Sequence, residues 1–342
     1  MPLDAADKLL LNLLQSSFPL EPEPFAGIAK QAELPVDEVQ ARTQRLLDER
    51  IIREITPIFD TRALGYASML VAAKVDSANP QRAAQIISEH PGVSHNYLRT
   101  HEFNLWFTIA TPPDSTLGIE RTLEVLRAET GAESIRQLPT LTLFKINMNL
   151  EMEQGTEALA AAVDATPPRE LVAQPYDELD VAVIRALQGP MAVSDRPYDR
   201  AAEQVGMGTD GFLEHLAKMV ERKLLRRVAA ILYHRRAGFS ANGMGVWRVS
   251  SDQVLEVGRS MAAVRGISHC YERPTYPDWP YSLFTMAHGR SKPECDAILD
   301  RIADEHGLHG DDRAVLYSST EFKKVRLLYF TEDHANWEAQ HS

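Results

Sequence analysis

The chain has 342 residues, 44% hydrophobic and 25% charged, with a net charge of −12 and two cysteines. That balance belongs to a folded chain with room for two domains or two fused repeats, and it excludes disorder and a disulfide framework. No apolar run approaches the roughly 20 residues of a membrane helix, no basic-then-apolar leader opens the chain, and the acidic surface repels nucleic acid at long range. The expected setting is the cytoplasm, away from membranes.

In chain order, residues 1–65 read as a winged helix-turn-helix unit. A helix from Asp4 to Leu14 carries Leu9, Leu10, Leu13 and Leu14 as an apolar stripe, and a second runs from Phe25 to Ala32. A third, entered through the turn at Leu34 to Val39, points Val39, Leu46 and Leu47 inward, and residues 51–58 then become β-rich. Residues 66–151 follow a βαββαβ order: strand 69–75, helix 80–89, strands 93–99 and 105–110, helix 116–130, strand 138–147. This is the ferredoxin-like pattern, a four-stranded antiparallel sheet with both helices on one face.

Residues 152–175, rich in Ala, Glu, Thr and Pro, read as a linker, and after it everything repeats. A second winged helix-turn-helix unit covers 176–238 and a second ferredoxin-like domain 239–331, so the fold class is α+β in two tandem repeats. Leu225 to Leu232 matches Ile52 to Phe59 at an offset of 173, His269 matches His95 at 174, and Phe322-Lys323 matches Phe144-Lys145 at 178. The drift locates an insertion: seven residues, Pro274 to Pro280, replace the three from Thr100 to Glu102. The second copy thus has a longer, proline-stiffened loop placed to overhang whatever binds on the sheet.

The stretch most nearly kept between the copies is Val93-Ser-His-Asn-Tyr-Leu-Arg99 and Ile267-Ser-His-Cys-Tyr-Glu-Arg273. Strand alternation sends Val93, His95, Tyr97 and Arg99 to one face, beside aromatic runs at Phe103 to Phe107 and Tyr281 to Phe284. A proton donor, a phenol and a fixed cation beside a flat apolar wall suit a large, planar, anionic ligand. His95 and His269 titrate nearest neutrality, and Arg99 and Arg273 can grip carboxylates through two hydrogen bonds. Taken singly, Trp106, Phe107 and Phe284 read as core. His101, Trp279, Tyr281 and His288 are further candidates whose direction the pattern leaves open.

Other motifs carry less. The would-be recognition helix Asp37 to Glu49 has four acids against two arginines, and residues 1–60 hold six Lys/Arg against eleven Asp/Glu, the opposite of a phosphate-binding footprint. Its counterpart, about Thr209 to Glu221, offers Asp210, Glu214 and Glu221 against Lys218. No specific DNA binding is expected. Gly206 to Gly211 spells GxGxxG without a preceding strand and reads as a turn; His306 and His309 have no third metal ligand nearby; Cys270 and Cys295 lie outside any CxxC.

On these residues, above all 93–107 and 267–289, the chain resembles the siroheme decarboxylase family, proteins of Lrp/AsnC-like architecture usually made as two subunits (NirD and NirL, or AhbA and AhbB) and here fused as in NirDL. The resemblance implies removal of two acetate carboxyl groups from siroheme, giving didecarboxysiroheme on the way to d-type haem or ordinary haem. It implies His95 and His269 as proton donors and Arg99 and Arg273 as holders of the carboxylates that stay. Tyr97 and Tyr271 would bind carboxylates or orient the histidines, Trp106 and Phe284 would stack on the macrocycle, and His101, Trp279, Tyr281 and His288 would complete the substrate site. No separate cofactor and no metal of the protein's own are implied. The iron belongs to the substrate, with an axial contact from His95 or His269 as the alternative to acid catalysis. Whether the chain forms a homodimer or a higher assembly stays open. The rival readings are a ligand-responsive Lrp/AsnC-type transcription regulator and a haem sensor without catalysis.

Overall fold

A computed structural model describes residues 3–146, 173–233 and 241–342. The expected linker 152–175 therefore falls almost wholly outside the described residues, as do the domain limits near 151 and 238. In chain order the first copy contains α1 (Ala5–Ser16), α2 (Pro24–Ala32), α3 (Val36–Asp48), β1 (Ile52–Phe59), β2 (Ala67–Lys74), α4 (Pro80–Glu89), β3 (Val93–Arg99), β4 (Leu105–Thr111), α5 (Gly118–Thr130), β5 (Ser134–Leu138) and β6 (Thr142–Ile146). The second contains α6 (Glu178–Leu187), α7 (Asp199–Gln204), α8 (Thr209–Glu221), β7 (Leu225–Leu232), β8 (Ala241–Trp247), α9 (Val254–Ala263), β9 (Ile267–Glu272), β10 (Leu283–Gly289), α10 (Lys292–His306), β11 (Arg313–Lys324) and α11 (Asp333–His341). α11 lies beyond residue 331, where the sequence reading placed no element.

The described chain divides into two compact units, one built from both helix-turn-helix segments and the other from both ferredoxin-like segments. In the first unit, Asp4 and Asp177 cap α1 and α6 in matching capping boxes closed by Asp7 and Asp180. Asp7, buried, receives Arg42 at 2.9 Å and Arg45 at 2.5 Å from α3, while Asp180 receives Arg222 at 2.5 Å and His215 at 2.8 Å from α8 and its end. Burial alone would raise the Asp180 carboxyl, but the Arg222 hydrogen bonds hold it below its ordinary value. Turning Asp7 inward rotates α1: Leu10, Leu11 and Leu14 are buried and Leu9 is 36% exposed, a correction to the expected stripe. Leu47 is only half-buried, while Val39 and Leu46 are fully inside. β1 and β7 pair antiparallel, so the two helix-turn-helix segments share one ribbon. Gly206 ends α7 with φ 69° and Gly208 caps α8, which makes the GxGxxG run a helix–helix turn.

The second unit departs from two separate four-stranded sheets. Each copy shows the ferredoxin order, β5-β2-β4-β3 and β11-β8-β10-β9, but the last strand of each continues into the other copy's sheet. β11 pairs with β8 over residues 313–317 and with β3 over 318–324, and β6 pairs with β9. The strand expected over 138–147 is thus two strands. The break falls at Pro139, which has no N–H to give a ladder, whereas its counterpart Tyr317 lies within the continuous β11.

Helices α4 and α5 cover one face of the first copy's strands through Ala84, Ile87, Leu123 and Leu126 against Val71, Phe107 and Ile109, and Trp337 of α11 joins that core. Phe144 of β6 enters the equivalent core of the second copy with Trp247, Met261, Leu299 and Ile302. The opposite faces meet in a third core containing Ala72, Phe103, Trp106 and Leu138 from the first copy and Val246, Trp279, Phe284 and Leu316 from the second. This supplies the cover that each helix-free sheet face requires.

Candidate functional site

The His-Tyr-Arg rows lie on that inner face, with one correction. Val93 and Ile267 point into the helix-side cores instead of joining the histidines, because the register slips between Val93 and His95 in β3 and between Met286 and Ala287 opposite β9. A slip of this kind re-aims the following side chain. It also swings Ser94 and Ser268, which strict alternation would send away, alongside the rings: Ser94 Oγ is 3.0 Å from His95 Nδ1 and Ser268 Oγ is 2.6 Å from His269 Nδ1.

The two rows repeat closely. The His95 and Tyr97 rings are 6.1 Å apart, tilted 32°, and those of His269 and Tyr271 are 5.9 Å apart, tilted 30°. Arg99 lies over Tyr97 at 5.8 Å and Trp106 at 6.0 Å; Arg273 lies over Tyr271 at 4.9 Å and Phe284 at 5.4 Å. Each guanidinium donates to a main-chain carbonyl of the other copy's final strand segment, Arg99 to Leu316 at 3.1 Å and Arg273 to Leu138. Leu138 and Leu316 are themselves counterparts at the offset of 178.

The electrostatics single out Arg99. Among the described residues no carboxylate comes within ion-pairing distance of it, and its Nε is buried without a hydrogen-bond partner. Burial pushes the guanidinium down to about 10, which still leaves it charged at neutral pH. Arg99 is half-buried with its Nε fully inside, and a cation partly withdrawn from water and unneutralised costs stability unless an anion arrives to meet it.

His101 is drawn into the aromatic core. Its Nδ1 accepts the Phe103 N–H at 3.0 Å, burial lowers its basicity, and it meets Trp279 edge-on at 5.4 Å and Tyr281 at 6.5 Å. The neutral ring therefore carries its proton on Nε2. Trp106 and Trp279 are 1% and 0% exposed, 5.2 Å apart, and covered by protein on all sides, so they form the body of the core instead of an open platform. Tyr281, half-buried, packs on Trp279 at 5.0 Å, and burial raises its hydroxyl. His288, half-buried, stands opposite Asn242, two residues along β10 from Met286.

The long second-copy loop does not overhang an open sheet. Tyr276 bridges to Trp279 and donates to the Gln137 carbonyl at 2.6 Å, while Asp278 pairs with Arg136 at 2.7 Å, fastening the loop to β5. The aromatic Trp279 turns inward because its large apolar surface gains more from burial than from water. The residues missed by pattern reading are Ser94, Ser268 and Thr108. The serines were repeated in both motifs, but only the strand irregularity brings them to the rings.

No group of three or more His, Cys, Asp or Glu among the described residues is arranged to hold a metal. His306 instead approaches Ser260 at 3.0 Å, with Gly307 capping α10 at φ 65°. No helix among the described residues is long and apolar enough to cross a membrane.

Comparison with known proteins agrees with this architecture. Residues 63–145 and 236–323 match the AsnC-like ligand binding domain, and residues 7–53 and 180–226 match the siroheme decarboxylase NirDL-like HTH domain. The class is therefore a tandem pair of helix-turn-helix and AsnC-like ligand-binding segments. A siroheme decarboxylase of Hydrogenobacter thermophilus is 37% identical over 331 residues, covering 96% of each chain. The siroheme decarboxylase NirDL subunit of Paracoccus denitrificans is 32% identical, covering 95% of this chain and 97% of its own. A crystal structure of the siroheme decarboxylase NirDL in co-complex with an iron-uroporphyrin III analogue superposes with TM-score 0.77 at 32% identity, covering 98% of both chains. The chain belongs to the siroheme decarboxylase family, in its fused NirDL form.

Proposed function

We propose that this chain acts as a carboxy-lyase on siroheme, removing two acetate carboxyl groups to give didecarboxysiroheme in haem d1 or alternative haem biosynthesis. The observation that carries this reading is Arg99, a half-buried cation with its Nε inside and no acidic partner among the described residues, in a row with His95 and Tyr97. A polycarboxylate tetrapyrrole supplies the missing anion. The related NirDL structure with an iron-uroporphyrin III analogue supports the ligand class.

Chemically, the bond between the acetate methylene and its carboxylate carbon breaks, CO2 leaves, and the electron pair passes into the pyrrole ring, already made electron-poor by protonation at a ring carbon. A second proton completes the methyl group and the ring-carbon proton is given back, so each acetate lost as CO2 consumes one proton net. The macrocycle is thus its own electron sink, and no separate cofactor enters the proposal. The chain must place a proton donor, grip the carboxylates that stay, and leave the reacting one weakly solvated. His95 and His269 are the donors, and Arg99 and Arg273 grip carboxylates so that remote binding orients the reacting one. Tyr97 and Tyr271 stand between donor and clamp as hydrogen-bond donors. His101, with its proton on Nε2, Tyr281 and His288 serve as neutral polar contacts. Trp106, Phe284 and Trp279 back the arginines and tyrosines as a rigid wall.

Anaerobic incubation with siroheme followed by mass spectrometry tests this: products lighter by one and then two CO2 are expected. Siroheme bound and returned unchanged would sink the reading and favour a sensor.

A further inference from the structure

Each arginine of the two rows opens a loop, and in both copies the residue that closes the loop is polar and buried. Arg99 donates its main-chain N–H to the Asn104 carbonyl at 2.8 Å across a loop of four residues, and Arg273 donates to the Ser282 carbonyl at 2.9 Å across a loop of eight. Asn104 and Ser282 are counterparts at the offset of 178, and they are 7% and 9% exposed. Their side chains reach the same place. Asn104 Oδ1 accepts the Val75 N–H and its Nδ2 donates to the Val75 carbonyl, both at 3.0 Å. Ser282 Oγ accepts the Val249 N–H at 3.2 Å and donates to the Val249 carbonyl at 2.7 Å. Val75 and Val249 are counterparts at the offset of 174, just beyond β2 and β8. A peptide N–H can only donate and a peptide carbonyl only accept, so the direction of all four bonds is fixed.

We infer that Asn104 and Ser282 are positioning residues for the two arginine clamps. An amide in one copy and a hydroxyl in the other make the same double contact, although the loops they close differ in length and sequence. In the first copy the ladder between β2 and β4 ends at Ala73 and Leu105, and the Asn104 side chain takes up the buried peptide groups beyond it while its own carbonyl stays turned to Arg99. The strand end that carries the arginine is thus tied to the end of the strand beyond its neighbour. That tie holds each guanidinium at its ring faces and at the carbonyl of Leu316 or Leu138 before any substrate arrives. A clamp already in place loses less freedom on binding than one the ligand must order. The inference rests on the proposed function and adds to it the residues that set the clamp in advance.

The test combines siroheme affinity, by absorbance titration, with NMR of the ligand-free full chain labelled with 15N-arginine, in which Arg99→Met assigns the buried Arg99 Nε–H. Asn104→Ala should raise the siroheme Kd about tenfold in the unaltered background and less than about twofold in the Arg99→Met background, because the two substitutions then remove one and the same interaction. It should also open the Arg99 Nε–H to exchange with solvent. Ser282→Ala, which removes a single hydroxyl, should depend on Arg273 in the same way, tested in an Arg273→Met background, and Ser282→Thr, which keeps the hydroxyl, should restore affinity. An affinity loss of the same size with and without the arginine, or an Arg99 Nε–H as protected in Asn104→Ala as in the unaltered protein, would assign these residues to the fold alone and overturn the inference. If Asn104→Ala does not fold, the Ser282 variants decide it by the same comparison of affinities. If the unaltered chain binds siroheme and returns it unchanged, the proposed carboxy-lyase activity fails, while the affinity and exchange readouts still decide this inference.

Discussion

At the scale of single residues the site is governed by what is left unsatisfied. Arg99 has the Leu316 carbonyl and two aromatic faces, neither of which neutralises it. In Arg99→Met that uncompensated burial disappears, so the ligand-free protein should be as stable as before or more so, measured by denaturant unfolding. Siroheme affinity, followed by absorbance titration, should fall about tenfold to a hundredfold, the worth of roughly 1.5–3 kcal/mol for hydrogen bonds to a charged group. Arg99→Lys should lie between, since an ammonium keeps the charge but loses the fork. Unchanged affinity in Arg99→Met would remove Arg99 from the clamp. The residue types of this row were legible in the sequence because they recur in both copies. The exit of Val93 from the row was not, because a one-residue slip in pairing leaves no mark on the pattern.

At the scale of elements, α11 is held by groups that must stay neutral. His90, 1% exposed, donates nothing to the Gly92 N–H but accepts it at Nδ1 at 3.0 Å, and its ring meets His334 at 5.2 Å and Trp337 at 4.4 Å. Both ring nitrogens of His334 are buried without partners among the described residues. Burial first, then the nearby His334 and Lys323, pushes His90 down to about 3, and burial lowers His334 as well. A folded-state value below the unfolded 6.5 means the unfolded or undocked state binds the extra proton. Stability from this contact is therefore full above about pH 6.5 and declines as pH falls toward 3, by about 2 kcal/mol at pH 5 for His90. Trp337 fluorescence, isolated by comparison with Trp337→Phe, should report release of α11 on acidification, and His90→Phe should flatten the pH dependence. A signal level from pH 7 to 4.5 would contradict this. In α3, Arg42 and Arg45 are already committed to Asp4, Asp7, Glu38 and Glu49. Affinity for duplex DNA should accordingly be negligible at physiological salt by fluorescence anisotropy, and tight binding to the gene's own upstream region would restore the regulator reading.

At the scale of the whole molecule, the exchanged strands make the ferredoxin-like copies one folding unit. Phe144 of β6 sits fully buried against α9, where a Cβ on Gly258 would come within 2.5 Å of its ring. Lys323 of β11 donates to the Ser88 and His90 carbonyls at the end of α4, at 2.6 and 3.2 Å. Gly258→Ala ordinarily favours a helix, but here it should destabilise by about 1–3 kcal/mol through overpacking. The loss should appear equally in probes placed in either copy, with coincident denaturant transitions. Separate transitions, or a stabilised Gly258→Ala, would mean that the exchange does not couple the copies.

The sequence by itself determined most of the elements and their duplication, though neither α11 nor the break between β5 and β6. α4 and β3 were legible to the residue and α8 approximately, since helix and strand periodicity, caps and prolines act over a few neighbouring positions. It also determined the His-Tyr-Arg rows and, through their resemblance, the family. Only the tertiary structure decided that β6 and β11 cross between copies, that Trp279 fills the core instead of covering the ligand, that α11 docks beside His90, and that Ser94 and Ser268 reach the histidines. Each of these depends on pairing register or on contacts between residues far apart in the chain, where local preference is silent and the burial of one surface against another selects the outcome.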